Sequence, residues 1–186
     1  MLDAYGNTAS SGAVVDTLNT TTLTDGTISL GGYGNTVTTN GTGATDTWNI
    51  TAGSGGSTIN VGSATDNIVL NGSLDTVNIG SGLATVTGVG LDTTYAMTDI
   101  NGGLSVANFN AAADDVLSLT GIESELTAAH THYYVSASQD SVNHAALDVY
   151  VVTGSPGSFV IHEVASLNGA DSSSLAGLEA THNILA

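Results

Sequence analysis

Thr58-Ile59-Asn60-Val61-Gly62-Ser63-Ala64-Thr65-Asp66-Asn67-Ile68-Val69-Leu70-Asn71-Gly72-Ser73-Leu74-Asp75-Thr76-Val77-Asn78-Ile79 carries nearly the same short phrase at both ends, with glycine punctuation between. In Thr58–Val61 and in Thr76–Ile79, polar and apolar residues alternate with period two, the pattern of a half-buried strand. The Gly62-Ser63 and Asn71-Gly72 dipeptides between them read as turns.

Outward from this stretch the phrase recurs. One apolar position returns at Ile28, Val37, Trp48, Ile59, Ile68, Val77 and Val86, with spacings of 9, 11, 11, 9, 9 and 9 residues. A second follows two residues later at Leu30, Ile50, Val61, Leu70 and Ile79, and breaks at Thr39 and Gly88. A nine-residue unit cannot bury two apolar side chains alone, so its neighbours must stack and share a core. The fold class that follows is all-β: a parallel β-roll or β-helix solenoid, with Thr and Asn outside as ladders of hydrogen-bonding side chains.

The glycine spacing relaxes after Gly90. Longer apolar runs then appear at Leu104 to Phe109, Val116 to Leu119, His132 to Val135, Leu147 to Val152 and Ser158 to Val164. These predict strands of a β-rich C-terminal region, sandwich-like or capping the roll, with turns at Gly102-Gly103 and Gly154-Ser155-Pro156-Gly157. Thr120-Gly121-Ile122-Glu123 has the capping-box pattern and predicts a helix of about two turns. The organisation expected is residues 1–16 as an N-terminal segment available as an exchanged strand, 17–90 as the degenerate nonapeptide solenoid, and 91–186 as the β-rich region with a secretion-type tail.

Val61-Gly62-Ser63-Ala64-Thr65-Asp66-Asn67-Ile68 and Ile79-Gly80-Ser81-Gly82-Leu83-Ala84-Thr85-Val86 resemble the RTX (repeats-in-toxin) nonapeptide G-G-x-G-x-D-x-U-x. The resemblance implies glycine loops and aspartates that bind Ca²⁺ between turns of a β-roll. Carried over residue by residue, the ligand position falls on Asn35, Asp46, Ser57, Asp66, Asp75 and Ala84. Asn35, Asp46, Asp66 and Asp75 are therefore the Ca²⁺ candidates. Loops on one side of the roll lie two repeats apart, which pairs Ser57 with Asp75 and Asp66 with Ala84; each pair has lost one partner. Ca²⁺ takes six to eight oxygens, several of them anionic, so such a half-site binds weakly or not at all. The alternative is an eroded roll held by apolar stacking and side-chain ladders.

The C-terminal half also resembles the ends of type I secretion substrates. The matching pieces are Asn108 to Leu119, Leu147 to Val164, and Leu167 through Ser172-Ser173-Ser174-Leu175 to Asn183-Ile184-Leu185-Ala186. That resemblance implies an uncleaved C-terminal export signal. It accords with the polar start Met1-Leu2-Asp3-Ala4-Tyr5-Gly6-Asn7, which lacks the charged and apolar regions of a secretory leader. A secreted or cell-surface location is expected.

Charge narrows the partners. The 186 residues carry 17 Asp plus Glu and no Lys or Arg, for a formal charge of −17. The imbalance is an absence of cations. Binding to phosphates or to anionic lipid needs Lys or Arg, so nucleic acid and anionic membrane surfaces are excluded as partners. Each carboxylate must be solvated, hydrogen-bonded by N–H or hydroxyl groups, or bound to a metal. The chain has no cysteine, so it has neither a disulfide staple nor a thiol nucleophile.

Catalytic patterns are weak. No G-x-S-x-G elbow occurs, and His162-Glu163-Val164-Ala165-Ser166 misses the second histidine of the zincin motif. Asp114-Asp115 are sequence neighbours and so cannot face each other as a glycosidase pair; they read as a loop or turn. His130-Thr131-His132, if on a strand, presents both rings on one face as a Zn²⁺ or Cu²⁺ pair requires, without a third ligand. A non-enzyme is expected.

Three functions fit. The first is a self-assembling structural protein of the cell exterior, a filament, surface-layer or biofilm-matrix subunit exported by a type I system, whose partner is itself. The second is a Ca²⁺-dependent adhesion or binding module. The third is an ice-binding solenoid presenting Thr36/Thr38, Thr58/Asn60, Thr76/Asn78 and Thr85/Thr87, although the uneven 9 and 11 spacing is expected to spoil its register. Like-charged subunits repel, so salt, calcium or low pH should favour assembly.

Overall fold

The structure, a computed structural model, describes residues 8–11, 17–19, 25–39, 46–139, 146–155, 157–169, 178–179 and 184–185. Among these the strands in chain order are β1 (Thr8–Ser11), β2 (Thr17–Asn19), β3 (Asp25–Leu30), β4 (Thr36–Thr39), β5 (Thr47–Ala52), β6 (Thr58–Val61), β7 (Thr65–Leu70), β8 (Thr76–Ile79) and β9 (Leu83–Gly88). They continue as β10 (Thr94–Met97), β11 (Gly103–Val106), β12 (Val116–Ser118), β13 (Tyr133–Gln139), β14 (Ala146–Ser155), β15 (Ser158–Asn168), β16 (Leu178–Glu179) and β17 (Ile184–Leu185). One helix, α1 (Thr120–Ala128), follows β12.

Strands alternate between two sheets. The first has the order β1-β3-β5-β7-β9-β11-β15-β14-β13-β17, the second β16-β12-β10-β8-β6-β4-β2. Odd strands from β1 to β11 pair in parallel, as do even strands from β2 to β12, so the chain winds as a β-solenoid of about five turns. The parallel stack continues past Gly90 through β10, β11 and β12. The runs read as Leu104 to Phe109 and Val116 to Leu119 thus belong to the winding. β15, β14 and β13 then extend the first sheet as an antiparallel meander.

Alternation becomes burial. Ile28, Ile50, Ile68, Val86 and Val106 align across the first sheet, and Val37, Ile59, Val77, Tyr95 and Leu117 across the second. All ten are buried and belong to one core cluster. Each such side chain contributes roughly 1.5–3 kcal/mol by leaving water.

The register corrects the phase read at Trp48. Ile50, and not Trp48, stands between Ile28 and Ile68, while Trp48 stands between Gly26 and Asp66. The reason lies in the connections: residues 40–46 join β4 to β5, whereas only 62–64 join β6 to β7 and 80–82 join β8 to β9. Extra residues are taken up outside the strands. The uneven spacing therefore leaves the ladders in register, contrary to the expectation that it would spoil them.

Both breaks in the second apolar series have local causes. Thr39 is fully buried, and its hydroxyl bonds the Asp66 carboxylate across the core. Gly88 has φ 126, and a Cβ there would stand 1.9 Å from the Leu70 carbonyl oxygen, so only glycine fits.

The helix forms where the Thr120 pattern predicts, but not through a capping box. Leu119 is the N-cap and no side chain caps the first turn. Buried Ile122 and Leu126 hold it on the core instead. β1 lies on β3 of its own chain, with Thr8 opposite Thr27 and Ser11 opposite Leu30. Residues 1–7, Pro156, His144, His182 and the Ser172–Leu175 turn lie outside the described residues.

Candidate functional site

The polar interior is built by the corner that leads from the first sheet into the second. That corner is five residues long four times over: 31–35, 53–57, 71–75 and 89–93. Its next-to-last residue is left-handed each time: Gly34 (φ 76), Gly56 (φ 63), Leu74 (φ 64), Asp92 (φ 54) and, in the longer last corner 107–115, Asp114 (φ 62). Three of these are not glycine, so they hold a strained conformation. Backbone bonds climb the corner, from Gly56 N–H to Ser73 O (2.8 Å), Leu74 N–H to Leu91 O (3.0 Å) and Asp92 N–H to Ala113 O (2.9 Å).

The residue after each left-handed position turns inward. Asn35, Ser57, Asp75, Thr93 and Asp115 form one column, each preceding a strand residue paired in the second sheet, and each is at most 1% exposed. Asp75 accepts from the Ser57 N–H at 2.8 Å. Asp115 accepts from the Thr93 N–H at 3.0 Å and the Asn110 N–H at 2.9 Å. The Asn35 amide donates to Gly32 O at 2.6 Å. Asn35 Oδ1, Ser57 Oγ and Asp75 Oδ2 have no hydrogen-bond partner among the described residues.

Burial raises the carboxyl groups of Asp75 and Asp115 above the usual range, opposed by the N–H groups they accept. The hydroxyl of Tyr95 is likewise pushed up, by burial first and by the nearby Asp115 second. Asp66 belongs elsewhere. It points into the core from the middle of the first sheet, between Trp48 and Ala84, and burial pushes its carboxyl up to about 7 against the opposing Thr39 hydroxyl. Asp66 Oδ1 and the neighbouring Trp48 Nε1 are both buried without a partner among the described residues.

The four Ca²⁺ candidates are therefore divided. Asn35 and Asp75 share a column, with Ser57 between them. Asp46 precedes the Thr47–Thr65 pair, and its carbonyl accepts from the Thr65 N–H at 2.8 Å, while Asp66 has the apolar ladder neighbours Trp48 and Ala84. The Ser57–Asp75 contact expected from loops two repeats apart forms, but as a backbone N–H to carboxylate bond. Among the described residues no three His, Asp or Glu side chains converge. Among the described residues the column offers one carboxylate oxygen without a hydrogen bond, at Asp75, together with Asn35 Oδ1, Ser57 Oγ and Thr93 Oγ1, a donor set poor in charge for an ion that takes six to eight oxygens.

Two other candidates change place. His130 (φ 54) and exposed His132 lie in the connection between α1 and β13, not on a strand, so the one-face geometry expected of them does not form. Asp114 is the exposed corner residue and Asp115 the buried column residue, which makes the pair a turn. Sequence reasoning missed Thr93 and Asp115 as column members. The signal was present, since each stands two residues before the Tyr95 or Leu117 that continues the apolar series.

The outer faces carry side-chain ranks. Thr36, Thr58, Thr76 and Thr94 align across the second sheet. Beside them Asn60 Nδ2 donates to Thr38 Oγ1 at 3.1 Å, and Asn78 Nδ2 to Asn60 Oδ1 at 2.7 Å. On the first sheet Asn67 Nδ2 donates to Asn49 Oδ1 at 3.2 Å. β1 and β2 are the outermost strands at the start of the two sheets.

Comparison with protein-family models, with curated proteins and with solved structures finds no match.

Proposed function

We propose that the chain is a self-assembling structural protein of the cell exterior, whose subunits stack end on end through the outer strands of the solenoid. The observation that carries this reading is the termination of both parallel sheets in β1 and β2, strands that among the described residues are paired on one flank only, on a body of in-register Thr and Asn ranks. A strand flank of this kind accepts another strand in the same register, and amide ladders continue across such a junction. With no Lys or Arg in the chain, backbone pairing, apolar surface and amide ladders are the means by which two copies can hold each other.

Negative-stain electron microscopy of the purified chain, with and without salt, tests it. Filaments or sheets are expected. Adjacent strand residues send their N–H groups to opposite sides, so Ala9→Pro with Ser10→Pro removes one donor from each flank of β1 and should abolish them. Dispersed particles under every condition would sink the reading. Export by a type I system belongs to the same proposal; a reporter fused to the segment from Leu147 onward should leave cells that carry such an exporter.

The in-register rank Thr36, Thr58, Thr76 and Thr94 favours a second reading, ice binding through a flat hydroxyl-bearing face. Thermal hysteresis is its measurement, and a value of zero ends it.

A further inference from the structure

The meander that follows the solenoid is longer than the strands it grows from. β14 and β15 run ten and eleven residues, against four to six for β3 to β11. β11 reaches β15 only where Leu104–Val106 meets Ala165–Leu167. From Ser158 to Val164, β15 therefore has β14 on one flank and, among the described residues, no strand on the other.

This stretch is apolar and open on both faces. Phe159, Val160 and Ile161 are 56%, 53% and 67% exposed, and consecutive strand residues point to opposite sides. An uncovered strand flank with exposed apolar side chains is a template for another strand. Residues 149–162 contain no carboxylate, which sets them apart in an acidic chain.

We propose that this flank of β15 pairs with the same flank of a second copy, as an antiparallel two-fold dimer. Self-pairing must keep opposed residues on one face, so the centre falls on a residue and not between two. Centred on Val160, Val160 opposes its own counterpart, Phe159 opposes Ile161, Ser158 opposes His162 and Gly157 opposes Glu163. No carboxylate then faces another. A basic partner would need carboxylates along the contact, and this flank offers apolar side chains instead. The dimer shares with the proposed function the premise that copies of this chain associate, but it uses the side of the molecule and not the ends of the solenoid.

Light scattering and Val160 variants test it. In the Ala9→Pro, Ser10→Pro background, where end-on stacking is blocked, the chain with Val160 and the chain with Val160→Thr should both reach twice the single-chain mass by millimolar concentration. Val160→Asp sets two carboxylates against each other on the two-fold axis and should raise the dimer dissociation constant roughly 100-fold or more, with an unchanged circular dichroism spectrum. A second variant does not depend on tolerance of that charge: Val160→Cys, in a chain without cysteine, should close an intermolecular disulfide on mild oxidation, and Phe159→Cys should not. A monomer in that background with Val160 intact, or equal cross-linking at both positions, overturns the dimer. The Ala9→Pro, Ser10→Pro variant should keep the dimer while losing filaments. Filaments one subunit wide would reject the dimer and leave end-on stacking in place.

Discussion

Asp66→Asn replaces a fully buried carboxyl with a group of the same shape that cannot ionise. In the unfolded chain Asp66 loses its proton near pH 3.8, whereas in the folded core it keeps it up to about 7. Between these values the folded state binds more protons, so stability falls as pH rises from 4 to 7. Below 3.8 the group contributes no difference, and above 7 the whole cost is present. A separation of about three pH units at ~1.4 kcal/mol each gives about 4 kcal/mol. The amide oxygen of the variant still accepts from the Thr39 hydroxyl, so the two proteins should have similar stability at pH 4. At pH 8 the variant should be more stable by about 4 kcal/mol, a urea midpoint ~2 M higher if the denaturant slope is about 2 kcal/mol/M. Trp48, the sole tryptophan and the strand neighbour of Asp66, reports the transition by fluorescence. Asp75 and Asp115, whose carboxyls burial also raises, are common to both proteins and cancel in the comparison. Parallel loss of stability by both proteins between pH 4 and 7 would refute the assignment of this cost to Asp66.

Other expectations concern the corner and the column. Leu74→Gly should raise stability by about 1 kcal/mol in urea unfolding, because it relieves a left-handed φ of 64 at an exposed position. Asp115→Ala leaves the Thr93 and Asn110 N–H groups without their acceptor, at roughly 1–3 kcal/mol each, and should lower the melting temperature by several degrees. Asp114→Gly, one residue away, should not lower it. With one free carboxylate oxygen in the column, melting temperature and circular dichroism should be the same in EDTA and in excess Ca²⁺; a rise of several degrees with the ion would show that the column binds it.

The winding was legible because its signal is local. Alternation in Thr58–Val61 and Thr76–Ile79, repeated at nine residues, leaves few ways to bury Ile59 and Val77 other than stacking. Phase was less legible. Trp48 is large and apolar and lies eleven residues from both Val37 and Ile59, so it reads as a ladder residue until the connection at 40–46 is known to be longer than its successors. That slip moved the ligand position onto Asp46 and hid the placement of Trp48 beside Asp66. The Thr39 to Asp66 bond joins residues 27 apart in opposite sheets, and no spacing rule on a single strand brings them together. His130 and His132 failed for a similar reason: α1 runs to Ala128, and the turn that ends it takes the histidines before β13 begins.

The unequal connections between β4 and β5, β6 and β7, and β8 and β9 separate two roles that most folds combine. The corner with the left-handed residue keeps one length from 31–35 to 89–93, whereas the opposite corner runs from three residues at 62–64 and 80–82 to seven at 40–46, so chain can be added there without shifting the strands. A foreign peptide spliced between Thr39 and Thr47 would hang from the edge of the roll without retuning it, whereas the short corner at 80–82 is tied down by bonds from Gly80 N–H to Val61 O and from Gly82 N–H to Gly62 O. If copies join end on end, such grafts would recur at one fixed interval per subunit along the polymer. The same tolerance would let natural variants of this chain diversify what they display while their winding stays constant.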